Sequence, residues 1–271
     1  WRGMNLAVRS GGISYNSPVR YPNGIGISGS NNLKYRTTEY NLGGLPMSPS
    51  GQFNTVAECE FYDVNGTGYT STQGGATNDG GAIIGNWVHD KTGDDEEHIF
   101  RLQGGSRYFI AHNTFGPNIL VNYDAVTIRG NSEKVVVFKN RMEGYVQAIW
   151  PQNRNSAEEY QNYCIMDSNL IIGAGVYSND RQGAIAMHAK DIVIRNNIIV
   201  NYQYGIGIGD DTVVGPSQRI KVYNNTFVNP SEDDTFTIIW ADDACYDIDI
   251  KYNLMFDIAG ADSSTIDFLQ A

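Results

Sequence analysis

Seven asparagines and a cysteine recur along the chain on a nearly constant spacing. Cys59, Asn86, Asn113, Asn140, Asn169, Asn197, Asn225 and Asn253 are separated by 27, 27, 27, 29, 28, 28 and 28 residues. The surrounding phrase repeats as well: HNTF at 112–115, RNNIIV at 195–200, NNTFVN at 224–229 and KYNLMF at 251–256, with looser forms at 85–88, 139–142 and 168–172. A fixed period of roughly 20–50 residues is the signature of a repeat architecture, so it limits the fold before any local motif is read.

Just ahead of each Asn lies a short alternation of β-branched or aromatic residues: YFIAH at 108–112, KVVVFK at 134–139, DIVIR at 191–195, RIKVY at 219–223 and DIDIK at 247–251. A second set lies further upstream in each repeat: IFRLQ at 99–103, VTIRG at 126–130, QAIW at 147–150, IAMH at 185–188, IGIG at 206–209 and TIIW at 237–240. Period-two alternation in short runs is strand chemistry, and no helix-length pattern competes with it. The expected fold is therefore all-β, a single-stranded parallel β-helix whose coils of about 28 residues stack about 4.8 Å apart. Right-handed coiling follows from the general preference of parallel crossovers. Asn suits the bends because it tolerates left-handed backbone angles, and its amide can pair with the same amide one coil on, giving an internal ladder.

With 41 % hydrophobic residues, 18 % charged residues and 30 glycines, the 271-residue chain fits a turn-rich β protein. No linker divides it, so residues 1–271 read as one domain, with the repeat register running from about residue 56 onward. Both ends are abrupt, which leads us to expect flanking sequence, or a second subunit, covering the solenoid ends. No run approaches the roughly 18 apolar residues that cross a membrane. A net charge of −11 without a basic stripe argues against nucleic acid. Cys59, Cys164 and Cys245 are too few and too scattered for a disulfide framework or a zinc site.

Function is sought on the outward face of the upstream strands. If Leu102, Ile128, Ile149, Met187, Ile208 and Ile239 point inward, the next residues form an outward column of Gln103, Arg129, Trp150, His188, Gly209 and Trp240. The preceding residues form a second column that begins with Arg101 and Thr127. Aromatic faces bind sugar rings, and the planar guanidinium fork binds carboxylate. The loop at 151–163, PQNRNSAEEYQNY, is expected to overhang this face. The run GDDEEH at 93–98 leads into the strand of Arg101, and its Glu96 and Glu97 could hold a hard cation such as Ca²⁺.

Two stretches, EEHIFRLQGGSRYFIAHNTF (96–115) and AVTIRGNSEKVVVFKNRM (125–142), resemble the central coils of polysaccharide lyase family six, the chondroitinase B and alginate lyase family of right-handed parallel β-helices. The resemblance covers about 50 residues and implies a secreted or periplasmic protein acting on a uronate polysaccharide. Its catalytic Arg falls on Arg129, its Lys base on Gln103, and its acidic Ca²⁺-supporting pair near Glu96 and His98, so only half of that pair is kept. Since Gln103 cannot take a proton, a base for β-elimination has to be His98, His188 or a tyrosine such as Tyr145, with Arg129 and Arg101 stabilising the enolate-like anion. His98 is preferred because Arg129 and His188 should stand two coils, about 10 Å, apart.

Other readings remain open. GDD at 209–211 and ADD at 241–243 could supply the paired carboxylates of a glycoside hydrolase. The missing Lys also leaves room for a non-catalytic polysaccharide-binding or structural β-helix of the adhesin or tailspike kind. Lyase-type chemistry on an acidic polysaccharide is the favoured expectation.

Overall fold

The structure, a computed structural model, describes residues 6–9, 27–28, 30–42, 49–50, 52–64, 78–90, 98–117, 124–145, 147–152, 162–173, 183–202, 204–211, 215–228 and 237–256. Among them, three parallel sheets of ten, nine and six strands run along the chain, and no helix occurs. From His98 onward the chain visits the three sheets in turn, as in Asp124–Arg129, Val136–Phe138 and Arg141–Tyr145; of these sheets, the earlier coils give described strands only to the ten- and nine-stranded ones. The fold is the expected parallel β-helix.

Alternation sends every second side chain into one shared core. In the ten-stranded sheet the inward column is Phe61, Val88, Phe115, Met142, Ile171, Ile199 and Phe227. In the nine-stranded sheet it is Val56, Ile83, Ile110, Val137, Met166, Ile194 and Val222. Stacking like on like lets each coil present the same shape to the next, so sheet registry and core packing favour one arrangement together.

The asparagine ladder stands at the corner between these two sheets. Each Asn Nδ2 donates to the Oδ1 of the Asn one coil on, at 2.9–3.0 Å from Asn86 through to Asn253. The same oxygen also accepts the backbone N–H of the preceding ladder residue, and the second amide hydrogen goes to a carbonyl one coil back, as from Asn140 to Ile110. Asn86 to Asn225 are all buried. The left-handed backbone, however, lies one residue earlier than the sequence implies, at Gly85, His112, Lys139, Ser168, Asn196, Asn224 and Tyr252, with φ between 51° and 66°. Asn is therefore selected at the ladder for its inward amide; its tolerance of positive φ is not used there.

Two coils also precede the Asn repeat. Strands Leu33–Tyr35 and Thr37–Leu42 pair with Thr55–Ala57 and Glu60–Val64, and the step shortens to 22 residues, as between Arg36 and Glu58. Here Lys34 and Glu39 stand in register with Val56 and Phe61 of the inward columns and form a buried ion pair, Nζ to Oε1 2.5 Å. Burial lowers the Lys34 pKa, and Glu39 opposes that shift.

At Cys59 the ladder stops. Its N–H still donates to Asn86 Oδ1 at 3.0 Å, and its Sγ stands 3.8 Å from the Lys34 carbonyl, where an amide donor would fit. Cys59→Asn should extend the ladder by one rung and raise unfolding stability by about 1 kcal/mol, read as a higher denaturant midpoint with unchanged m-value.

Candidate functional site

The six-stranded sheet consists of His98–Gln103, Asp124–Arg129, Gln147–Pro151, Ile185–Met187, Tyr204–Ile208 and Thr237–Ala241. Leu102, Ile128, Ile149, Met187, Ile208 and Ile239 are buried, so the inward set is as expected. The register differs at two strands. Ile149 lies beside Val126 and Trp150 beside Thr127, and Ile239 lies beside Ile206. Both are shifts of two residues, which preserve the face each side chain occupies but move it along the groove.

Two outward rows result. One runs Arg101, Thr127, Trp150, Ala186, Gly207, Trp240. The other runs Gln103, Arg129, Gln152, His188, Gly209, Asp242, fixed by the Gln103–Arg129 pair and by backbone bonds from Gln152 to Ile128, His188 to Pro151, Gly209 to Met187 and Asp242 to Ile208. Arg101 and Arg129 are diagonal neighbours, about 7–8 Å apart at Cα. The Arg129 guanidinium carbon stands 5.5 Å from the centre of the Trp150 ring, within cation–π range.

His98 joins this group by a route that alternation hides. It is three residues before Arg101, which should set the two on opposite faces. Instead Ile99 and Phe100 both enter the core, as do Ala125 with Val126 and Ala148 with Ile149, and the alternation breaks once in each strand. His98 Nδ1 then lies 2.8 Å from Asp124 Oδ2 and 2.7 Å from Thr127 Oγ1, and Thr127 Oγ1 donates to the same carboxylate oxygen at 3.1 Å. An Nδ1–H directed at Asp124 leaves the ring's basic lone pair at Nε2. His98 is 1 % exposed, and its ring centre is 6.3 Å from that of Trp150.

Arg101, Arg129, His98, Gln103 and Trp150 are thus brought together. His188 stands two coils beyond Arg129, about 10 Å by coil spacing, and Trp240 lies three coils beyond Trp150, so neither joins the cluster. Tyr145 is corrected: it is 1 % exposed within the core, its hydroxyl pKa is driven up by burial, and its carbonyl accepts the Tyr202 hydroxyl at 2.7 Å. Tyr145 belongs to the hydrophobic core cluster and stands in neither outward row. Glu96, Glu97 and residues 153–161 of the expected overhanging loop lie outside the described residues. The two Asp pairs occupy different local structures. Asp210–Asp211 forms an antiparallel pair with Gly215–Pro216, whereas Asp242 begins a turn closed by the Cys245 N–H at 2.9 Å.

Asp124 was missed by sequence reasoning, although it begins its strand in register with His98. Gln152 was missed because the register shift of Trp150 concealed its place beside Arg129.

The chain matches no protein-family model and no curated protein sequence. Among solved structures it is similar to the periplasmic alginate epimerase AlgG, at TM-score 0.53 and 11 % identity over 92 % of this chain and 67 % of that one. A pectate lyase bound to hexasaccharide aligns at TM-score 0.43 and 11 % identity, over 82 % and 58 %. A tailspike protein of E. coli bacteriophage HK620 aligns at 0.43 and 13 %, over 86 % and 47 %. At such identities the AlgG likeness is one of fold: a parallel β-helix.

Proposed function

We propose that the outward face of the six-stranded sheet binds an acidic, uronate-containing polysaccharide outside the cytoplasm and performs lyase-type β-elimination on it. The observation that carries this reading is the convergence of Arg101 and Arg129 with Trp150 and the His98–Asp124–Thr127 cluster on one face of a chain whose net charge is −11. Arginines gathered on an acidic protein fit a local carboxylate, and the tryptophan fits the apolar face of a sugar ring. The similarity to polysaccharide lyase family six and the fold shared with an alginate epimerase support the same substrate class.

Elimination and epimerisation both begin with loss of the proton α to the uronate carboxylate. In this reading the arginines neutralise the carboxylate, which makes that proton more acidic and stabilises the enolate-like anion, and His98 Nε2 takes the proton. Asp124 holds the imidazole in the required tautomer and stabilises the imidazolium as it forms. Electrons then move from the broken C–H bond to form a C=C bond as the C–O bond breaks; its electron pair leaves on the glycosidic oxygen, which takes up a proton from the His98 imidazolium or from water.

A second reading is non-catalytic binding. It is favoured by the depth of His98 and by Gln103, which cannot take a proton, at the position where the resemblance has a lysine base. Incubation with alginate, pectate and chondroitin separates the two. Rising ultraviolet absorbance from the unsaturated product supports the lyase. Retention on a polysaccharide gel without product leaves the binder, and neither result rejects the acidic-polysaccharide reading. If the lyase holds, Asp124→Ala should lower kcat by about 10²-fold with little change in binding, as expected for a group acting through the base.

A further inference from the structure

Thr127 stands in an outward row, between Arg101 and Trp150, yet it is 0 % exposed. A hydroxyl so placed needs a partner. It finds one on its own strand, at Asp124, because Ala125 and Val126 both enter the core and bring positions three apart onto the same face. The same break in the neighbouring strand does this for His98 and Arg101. His98 is in register with Asp124 and Arg101 with Thr127, so Thr127 also reaches His98 across the diagonal.

The three groups form a closed triangle. Nδ1 of His98 lies 2.8 Å from Asp124 Oδ2 and 2.7 Å from Thr127 Oγ1, and Oγ1 lies 3.1 Å from Oδ2. Two hydrogens serve these three contacts when Nδ1 is protonated. The ring N–H donates toward the carboxylate with Oγ1 as a second acceptor, and the hydroxyl donates to Oδ2. With a bare Nδ1 the hydroxyl could turn to the ring, but a nitrogen lone pair would then face the carboxylate at 2.8 Å, and Oδ2 would lose both donors of the triangle. All three contacts are therefore satisfied by one tautomer and one ring orientation.

We infer that Thr127 is a positioning residue for the base: its hydroxyl locks the Asp124 carboxylate against the edge of the His98 ring, which keeps Nε2 as the bare nitrogen and fixes where it points. This rests on the lyase reading and adds to it a residue that lies beneath the surface a glycan would meet. The lock suits the reacting step. A proton taken up at Nε2 leaves all three contacts in place, so the cluster does not rearrange as the imidazolium forms. Asp124 alone holds the ring less firmly, because a carboxylate that loses a donor gains freedom to rotate about its Cβ–Cγ bond, and the imidazole bonded to it swings as well.

Two variants without the hydroxyl, Thr127→Val and Thr127→Ala, and one that keeps it, Thr127→Ser, test this. In alkaline buffer, where imidazole is neutral, ring-nitrogen NMR of the wild type should place the His98 hydrogen on Nδ1. His98 is one of four histidines, and comparison with His98→Gln identifies its signals. Without the hydroxyl these signals should move toward the average of two exchanging tautomers, and Thr127→Ser should restore them. On whichever of alginate, pectate and chondroitin the wild type cleaves, Thr127→Val and Thr127→Ala should lose about tenfold in kcat with KM unchanged, the scale of one hydrogen bond to a charged group. Thr127→Ser should recover most of that loss. Valine keeps the branched shape and alanine adds no bulk, so a folding defect in one variant leaves the other to decide. A hydrogen on Nε2 in the wild type overturns the role of Thr127. So do hydroxyl-free variants that keep the wild-type ring signals or the wild-type kcat, or whose loss falls on KM. A wild type that shows the Nδ1 pattern and cleaves none of the three glycans rejects the elimination reading, while the hold of Thr127 on the ring stands.

Discussion

Arg129→Ala is expected to weaken binding of the acidic polysaccharide by about 1.5–3 kcal/mol, more than tenfold in affinity, and to abolish turnover where turnover is measured. Arg129 occupies the centre of the cluster. Gln103 is its register partner, Arg101 its diagonal neighbour, and the Trp150 ring lies 5.5 Å beneath its guanidinium carbon. Contact with the ring limits how far the fork can swing and so reduces the entropy lost on gripping a carboxylate. Arg129→Lys should rescue only in part, because an ammonium group supplies a point charge without the bidentate fork. Affinity and turnover, measured on the same glycan for the three proteins, check the expectation. An alanine variant that binds and turns over acidic glycans like the wild type would leave this face as ordinary solenoid surface.

The fold was legible in the sequence because its strongest constraint repeats: the same inward amide is needed at one corner of every coil, so it appears at a readable spacing. What escaped has physical reasons. A two-residue register shift leaves period-two alternation intact, so nothing in Gln147–Pro151 or Thr237–Ala241 revealed that Trp150 lies beside Thr127 or that Ile239 lies beside Ile206. The upstream coils escaped because their step is 22 residues and a Lys34–Glu39 ion pair takes the inward positions that apolar residues hold in later coils. In the site, Arg101 and Arg129 were readable because their strands alternate cleanly there. The bond between His98 and Asp124 was not, because it depends on the break at Ile99 and Phe100, which both enter the core. Tyr145 was misplaced by relying on chemical type without knowing its face.

Asn197→Leu should cost about 3–5 kcal/mol of unfolding free energy, because the leucine removes four hydrogen bonds at once from a site with no access to water. Asn197 Oδ1 accepts from Asn169 N and Nδ2 at 3.0 and 2.9 Å, and its Nδ2 donates to the Met166 carbonyl and Asn225 Oδ1 at 3.0 and 2.9 Å. Leucine is of similar size and apolar, so the loss would reflect the orphaned N–H and C=O groups of the neighbouring coils more than a cavity. Asn197→Asp keeps the shape and still accepts from Asn169, but it directs lone pairs at two oxygens that need donors, and it too should destabilise. If either variant unfolded at the wild-type midpoint, the ladder would be a bystander to the packed columns around it. The ladder stands at the corner between the nine- and ten-stranded sheets, and the candidate site lies on the six-stranded sheet. Below its lowered midpoint, the leucine variant should therefore bind acidic glycan as the wild type does, a separation that only a structural role for Asn197 predicts.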